Sequence, residues 1–201
     1  MTAQDLYDNL ILPQLAAMGA EVKTPALVAI NETIRQLAVQ MMESQSDLVM
    51  LTWRPSVSTT RTRAYFPDGF QGFREHPVLV GDKSPLSAAT DSTRADLIGE
   101  TGKPRHYEIR GDCLMLYPTP DAPYTLQAEC WVFPDEIAFA DDLPFNGRLD
   151  RVIADTSLQV IIGGLPLLST PQFSADLSRR LETALITRKP PLPARRPIQF
   201  F

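Results

Sequence analysis

The sequence predicts an α+β fold: a helical bundle formed by the N- and C-terminal helices, with an antiparallel β-rich lobe inserted between them. Three observations carry this. Apolar residues recur at helical spacing before residue 47 and after residue 146, whereas residues 48–145 hold short alternating runs cut by Pro and Gly. Proline outnumbers glycine, 18 to 10, which favours fixed turns over flexible linkers. At 201 residues the chain suffices for one domain carrying a sizeable insertion. The expected parts are residues 1–47 and 146–189 as the helical bundle, 48–145 as the inserted lobe, and 190–201 as an extended Pro/Arg-rich arm.

The first helix opens with Thr2 and Asp5 at capping-box spacing, carries Leu6 and Leu10 on one face and stops at Gly19. Pro13 should kink or divide it. In the second, Thr24 is the N-cap and Pro25 takes the first helical position, where a missing N–H costs nothing. Leu27, Ile30, Ile34, Leu37 and Met41 follow at spacings of 3, 4, 3 and 4, one apolar stripe reaching about Ser44.

DLVMLTW (47–53) and VSTTRTRAYF (57–66) read as strands, the second polar and exposed or at an edge. Residues 67–102 lack periodicity and read as long loops with short strands. Helical spacing returns with Leu149, Val152, Ile153, Thr156, Val160 and Ile161, ending at Gly163-Gly164. Thr170-Pro171 opens a last helix carrying Phe173, Leu177, Leu181, Ala184 and Leu185 to about Lys189. PPLPARRPIQFF cannot continue it and favours an extended, polyproline-like arm.

The stretch HYEIRGDCLMLYPTPDAPYTLQAECWVFP (106–134) gathers both cysteines, one of two histidines and an Arg-Gly-Asp tripeptide. Its alternation predicts a three-stranded antiparallel meander with turns at Arg110-Gly111-Asp112 and at PTPDAP. A symmetric second turn would set Tyr117 opposite Tyr124, Met115 opposite Leu126 and Cys113 opposite Ala128. Cys113 and Cys130 then do not face each other, so no disulfide is expected, and no further ligands stand at metal-binding spacing. The Arg-Gly-Asp tripeptide reads as a hairpin turn, not an adhesion motif.

Charge and motifs narrow the function. The net charge of −5 argues against broad nucleic-acid binding. From Arg179 onward six basic residues oppose Glu182 alone, so this end carries +5 and the remainder, by difference, −10. GETGKP at 99–104 fails as a phosphate loop because Leu97 stands where the first Gly is needed and Pro104 where the hydroxyl is needed. His76 and His106 belong to no acid–base or nucleophilic arrangement, and the acidic group Asp135, Glu136, Asp141 and Asp142 reads as a solvated loop. No enzyme, cofactor or metal is expected. Met1 leads into Thr-Ala-Gln-Asp without a basic leader, and no apolar run nears the roughly 20 residues needed to span a bilayer. Pro190, Pro193 and Arg195 fit a P-x-x-P-x-R pattern read as chance; the arm suits a groove or a neighbour's sheet edge.

Gly102, Pro104, Tyr107, Ile109, Gly111, Pro118, Pro120, Asp121, Tyr124 and Leu126, followed by an acidic-Pro stretch and a helix, resemble the head-to-tail adaptor (connector) proteins of tailed bacteriophages. The helix with Ala29, Asn31, Glu32 and Arg35 is similar to that family's first core helix. The resemblance covers about residues 25–40 and 100–165. It implies a structural subunit of the virion neck, made in the bacterial host cytoplasm. Such subunits form a ring, typically twelve-fold, below the portal, joining head to a downstream tail or nozzle protein while genome DNA passes through. An acidic channel wall would repel DNA and let it slide. The residues expected to contact portal or neighbouring subunit are Arg188, Lys189, Arg195, Arg196, Ile198, Phe200 and Phe201. The alternatives are another neck or tail-completion protein, or a soluble β-rich bacterial binding module.

Overall fold

The structure, a computed structural model, describes residues 1–82 and 85–186, without the side chains of Asn146 and Ile186. In chain order come α1 (Ala3–Leu6), a π-helical turn (Tyr7–Ile11), α2 (Leu12–Met18), α3 (Ala26–Glu43), β1 (Met50–Trp53), β2 (Ser56–Val57) and β3 (Arg63–Tyr65). Then follow β4 (Phe70–Phe73), β5 (Val78–Leu79), β6 (Ser87–Ala88), α4 (Asp91–Leu97), β7 (Thr101–Gly102) and β8 (His106–Arg110). The chain ends with β9 (Cys113–Tyr117), β10 (Thr119–Pro120), β11 (Tyr124–Val132), α5 (Asp150–Gly163) and α6 (Pro171–Ile186). The fold is mixed α and β, with several sheets. It divides into two compact units, one of residues 1–40 with the described residues from Glu136 onward, the other Met41–Asp135.

In the first unit the capping box forms as expected: Thr2 Oγ1 accepts from Asp5 N at 3.1 Å and Asp5 Oδ2 accepts from Thr2 N at 3.0 Å. The helix is divided as expected: Pro13 lies in the first turn of α2, after the π-helical turn that follows α1. The proline ring would crowd the carbonyl four residues back, and a wider turn precedes it, in which Leu12 N–H bonds Tyr7 O five residues behind. That extra residue rotates the buried stripe. Leu6, Ile11 and Leu15 are buried, and Leu10, expected on the face of Leu6, is only half-buried.

In α3 the predicted positions Ile30, Ile34, Leu37 and Met41 are buried, with Ala29, Thr33 and Ala38 widening the stripe. α5 buries Ile153, Thr156, Val160 and Ile161 and ends at Gly164, whose φ of 85° suits glycine. Thr170 Oγ1 accepts from Phe173 N at 3.3 Å to start α6, which buries Phe173, Leu177 and Leu181. Ser178 Oγ donates to Gln40 Oε1, tying α6 to α3.

The second unit holds two principal sheets that share one core. β11 is central in the first, paired antiparallel with β1 and β2 along one edge and with β4 and β5 along the other. The second runs β3-β9-β8-β6. Leu114, Leu116, Tyr107 and Ala64 of the second sheet join Trp53, Val57, Leu79, Leu126, Ala128 and Cys130 of the first in one buried cluster.

This corrects the predicted meander. β8 and β9 form the expected hairpin, with Arg110 opposite Cys113 and Gly111 at φ 59°, so Gly111-Asp112 is a two-residue turn with glycine at its first central position. β9 and β11, however, do not pair. Tyr117 lies opposite His106, Met115 opposite Glu108 and Arg63, and Cys113 opposite Arg110 and Tyr65. Tyr124 faces Val57, Leu126 faces Leu79 and Ala128 faces Trp53. The physical reason is edge occupancy: β8 and β3 take both edges of β9, leaving none for β11.

VSTTRTRAYF is likewise not one strand. Ser58 N donates to Arg61 O at 2.9 Å and Ser58 Oγ accepts from Arg61 N at 3.2 Å, closing a turn. β2 before it enters the first sheet and β3 after it the second. Within 67–102, expected as loops and short strands, Thr90 Oγ1 caps Thr93 N at 3.2 Å and starts the unanticipated helix α4.

Candidate functional site

Arg188, Lys189, Arg195, Arg196, Ile198, Phe200 and Phe201, the residues expected to make contacts, lie outside the described residues, as does the P-x-x-P-x-R match. The described residues offer two charged surfaces, one in each unit.

In the second unit the outer face of the β3-β9-β8 sheet carries the polar members of those strands. Glu108 is its centre. It binds Arg94 Nη1 of α4 at 3.0 Å and Arg110 Nε at 3.1 Å, and it accepts from the Tyr117 hydroxyl at 2.9 Å. The Arg110 guanidinium, assisted by Tyr117 and Arg94, holds the Glu108 carboxyl below the usual carboxylate range against the opposing effect of burial. Burial, reinforced by Glu108, pushes the Tyr117 hydroxyl up. Arg94 also binds Asp91 at 2.8 Å, so the acids of this face are already paired. Arg63, in register with Met115 and through it with Glu108, is exposed, and so are Arg54 and Arg61. Residues 48–67 contain those three arginines and no Asp or Glu.

In the first unit, residues 137–143 are strapped against the chain start. Ala3 N donates to Asp141 O at 3.0 Å, Gln4 N to Phe139 O at 2.9 Å and Leu143 N to Met1 O at 3.0 Å. Asn31 clamps the strap from α3. Its Nδ2 donates to Ile137 O at 3.0 Å and its Oδ1 accepts from Ile137 N at 2.9 Å. Glu32 and Arg35 pair beside it at 2.9 Å. Neither residues 1–22 nor residues 111–147 contain a Lys or Arg, so the strap joins two base-free segments. Asp5, Asp8, Glu136, Asp141 and Asp142 are the result: an exposed acidic surface.

Asp141 Oδ2 accepts from Ala138 N at 2.7 Å, and Asp142 lies 3.7 Å from the Met1 amino group. Of the acidic group read from sequence, these two therefore shape the loop as well as solvate it. The strap was not legible, because its partners are more than a hundred residues apart.

The remaining candidates have structural explanations. His76 Nδ1 and the Tyr107 hydroxyl are 2.7 Å apart, at the margin of an aromatic cluster in which Phe66 and Phe70 stack at 4.0 Å. His106 begins β8. Cys113 and Cys130 are both free and buried, and burial pushes the Cys130 thiol up to about 12. In GETGKP, Thr101 and Gly102 pair in parallel with Thr119 and Pro120, and Glu100 O accepts from Thr119 N at 2.9 Å, a strand role rather than a phosphate cradle. A cleft between α5 and α6 is lined by Ile162, Leu167 and Phe173 with Asp176 among its walls, and Arg179 and Arg180 hold the Asp176 carboxyl below its usual range. Among the described residues no group of three or more His, Cys, Asp or Glu converges as a metal site would require.

A family model described as SU10 adaptor protein matches residues 1–159, spanning all of the second unit and most of the described first. No curated protein matches the chain.

Proposed function

Because the chain belongs to the SU10 adaptor protein family, we propose that it is a subunit of the phage neck that assembles as a ring below the portal, joins head to tail and lets the genome pass. Membership makes it a bacteriophage structural adaptor and a virion component that works with other head and tail proteins. No helix among the described residues is long and apolar enough to cross a membrane. The family match over residues 1–159 is the observation that carries the reading. It covers both charged surfaces and the Asn31 clamp, one of the positions that resemble the adaptor pattern.

In this reading the helices of the two chain ends form the body of the subunit, the second unit is the inserted β-rich lobe, and the subunit has no catalytic role. The arm contacts portal or neighbouring subunit through Arg188, Lys189, Arg195, Arg196, Ile198, Phe200 and Phe201. A ring of twelve is the expected stoichiometry. Electron microscopy of the purified chain mixed with the portal protein of the same phage tests the proposal. A ring stacked on the portal supports it. A ring that caps isolated tails and ignores portals would make the chain a tail-completion protein instead. Deleting Pro190–Phe201 should leave a folded chain by circular dichroism and abolish attachment to heads; attachment at full strength would remove the arm from the mechanism.

A further inference from the structure

We infer that the arginine-bearing β2–β3 segment of one subunit docks on the acidic strapped surface of a second copy of the same chain. The inference rests on the oligomeric reading above and names the surfaces that would make the contact. On the donor side, Arg54, Arg61 and Arg63 are exposed in a stretch without acids, and none has an ion-pair partner among the described residues. Across the sheet, Glu108 is occupied by Arg94 and Arg110, so it does not neutralise them; Asp112, whose carbonyl accepts from Phe66 N at 2.9 Å, stands at the far end of β3. Tyr65, half-exposed at 53%, sits two residues beyond Arg63 and adds an aromatic contact of the kind enriched in interfaces.

On the acceptor side, backbone hydrogen bonds hold two base-free segments side by side, and Asp8 and Glu136 there have no ion-pair partner among the described residues. Asp5 and Asp141 are engaged by Thr2 and Ala138, and Asp8 Oδ2 accepts from Gln4 Nε2 at 2.8 Å, which fixes the frame on which the carboxylates without ion pairs stand. Tyr7 and Phe139 bring their rings to 6.1 Å across the strap and stiffen it.

The two surfaces belong to different units and share no residue, so a contact between them is heterologous. Such a contact adds copies head to tail and closes as a ring when the rotation permits. Opposite charge on the two sides fixes the register and speeds encounter. In this account the acids near residue 140 serve subunit contact and not the channel wall.

Charge reversal tests this with sedimentation velocity on the full chain at low and high salt. Arg61→Glu with Arg63→Glu, and separately Asp8→Lys with Glu136→Lys, should each weaken self-association at least tenfold. An equimolar mixture of the two variants should restore it, because every contact is again between opposite charges. Should either double variant fail to fold by circular dichroism, Arg61→Gln with Arg63→Gln and Asp8→Asn with Glu136→Gln keep the single-side test, each expected to lose association less severely. Wild-type oligomers that tolerate both reversals, or a mixture that does not recover, overturn the inference alone. A wild-type chain that stays monomeric both by itself and with portal overturns the ring reading with it. A duplex DNA fragment included as a control should not be retained. If the arginine variants lose DNA retention and keep self-association, the segment belongs to DNA and the inference falls.

Discussion

β9 and β11 are separated by six residues, both are strongly apolar, and they lie in different sheets. β9 is a continuous run, CLMLY, with Cys113, Leu114, Leu116 and Tyr117 all buried. β11 alternates over most of its length, with Leu126, Ala128 and Cys130 buried and Thr125, Gln127 and Glu129 outward. Periodicity assigns faces to a strand but not partners. A strand buried on both faces and occupied on both edges has nowhere to add its sequence neighbour, so the chain crosses to the other layer. A native cysteine reports on the partner of β9. Tyr65→Cys should cross-link to Cys113 on mild oxidation, since the two positions are directly paired. Ala128→Cys, which a meander would place opposite Cys113, should not. Peptide mapping after oxidation reads the outcome, and the reverse result would restore the meander.

The next largest effects compare the core contribution of the two strands. Leu114 of β9 and Leu126 of β11 are both 0% exposed and belong to one cluster. Truncating either to Ala should cost about 2–5 kcal/mol in urea unfolding, the range for large-to-small core changes. A loss confined to one strand would mean that the sheets do not share a core. Two glycines, one near each strand, have smaller effects. Gly111, in the turn before β9, has φ 59° and open space around a built Cβ, so Gly111→Ala should cost only the backbone penalty, about 1 kcal/mol. Gly69, beside the end of β11, has φ 70° and would drive a Cβ into the carbonyl oxygen of Phe133. Gly69→Ala should therefore cost more than Gly111→Ala; equal costs would show that the Phe133 backbone yields freely.

What the sequence made legible follows the same division. Local signals were readable: the capping box at Thr2, the stripe of α3, the Gly163-Gly164 stop and the Gly111 turn all depend on residues within one or two turns of each other. Long-range choices were not. Nothing near Pro118 says that β11 will seek β1, or that Ser58–Arg61 will break a polar strand at a corner between sheets. The same holds for function. The adaptor resemblance rested on the order of turns and strands, and the family match agrees with it. The acidic surface depends on residues 1–4 meeting residues 139–143, a pairing that no local pattern encodes.

The smallest predicted effect concerns the outer face of β8 and β9, which β11 does not share. Arg110 first, then Tyr117 and Arg94, hold the Glu108 carboxyl below its usual range. A carboxylate with a depressed folded pKa adds stability that is fully present above its unfolded value, near 4.3, and is lost as pH falls through the lower folded value. Wild-type melting temperature should therefore decline between about pH 5 and pH 3 more steeply than that of Glu108→Gln, which cannot titrate. Because the partners are partly exposed, solvent screens the pair, and the difference should be smaller than the cost of Gly111→Ala. It should shrink further in high salt. Equal acid slopes for wild type and variant would mean that Glu108 is only solvated, and β9 would then depend on its apolar faces alone.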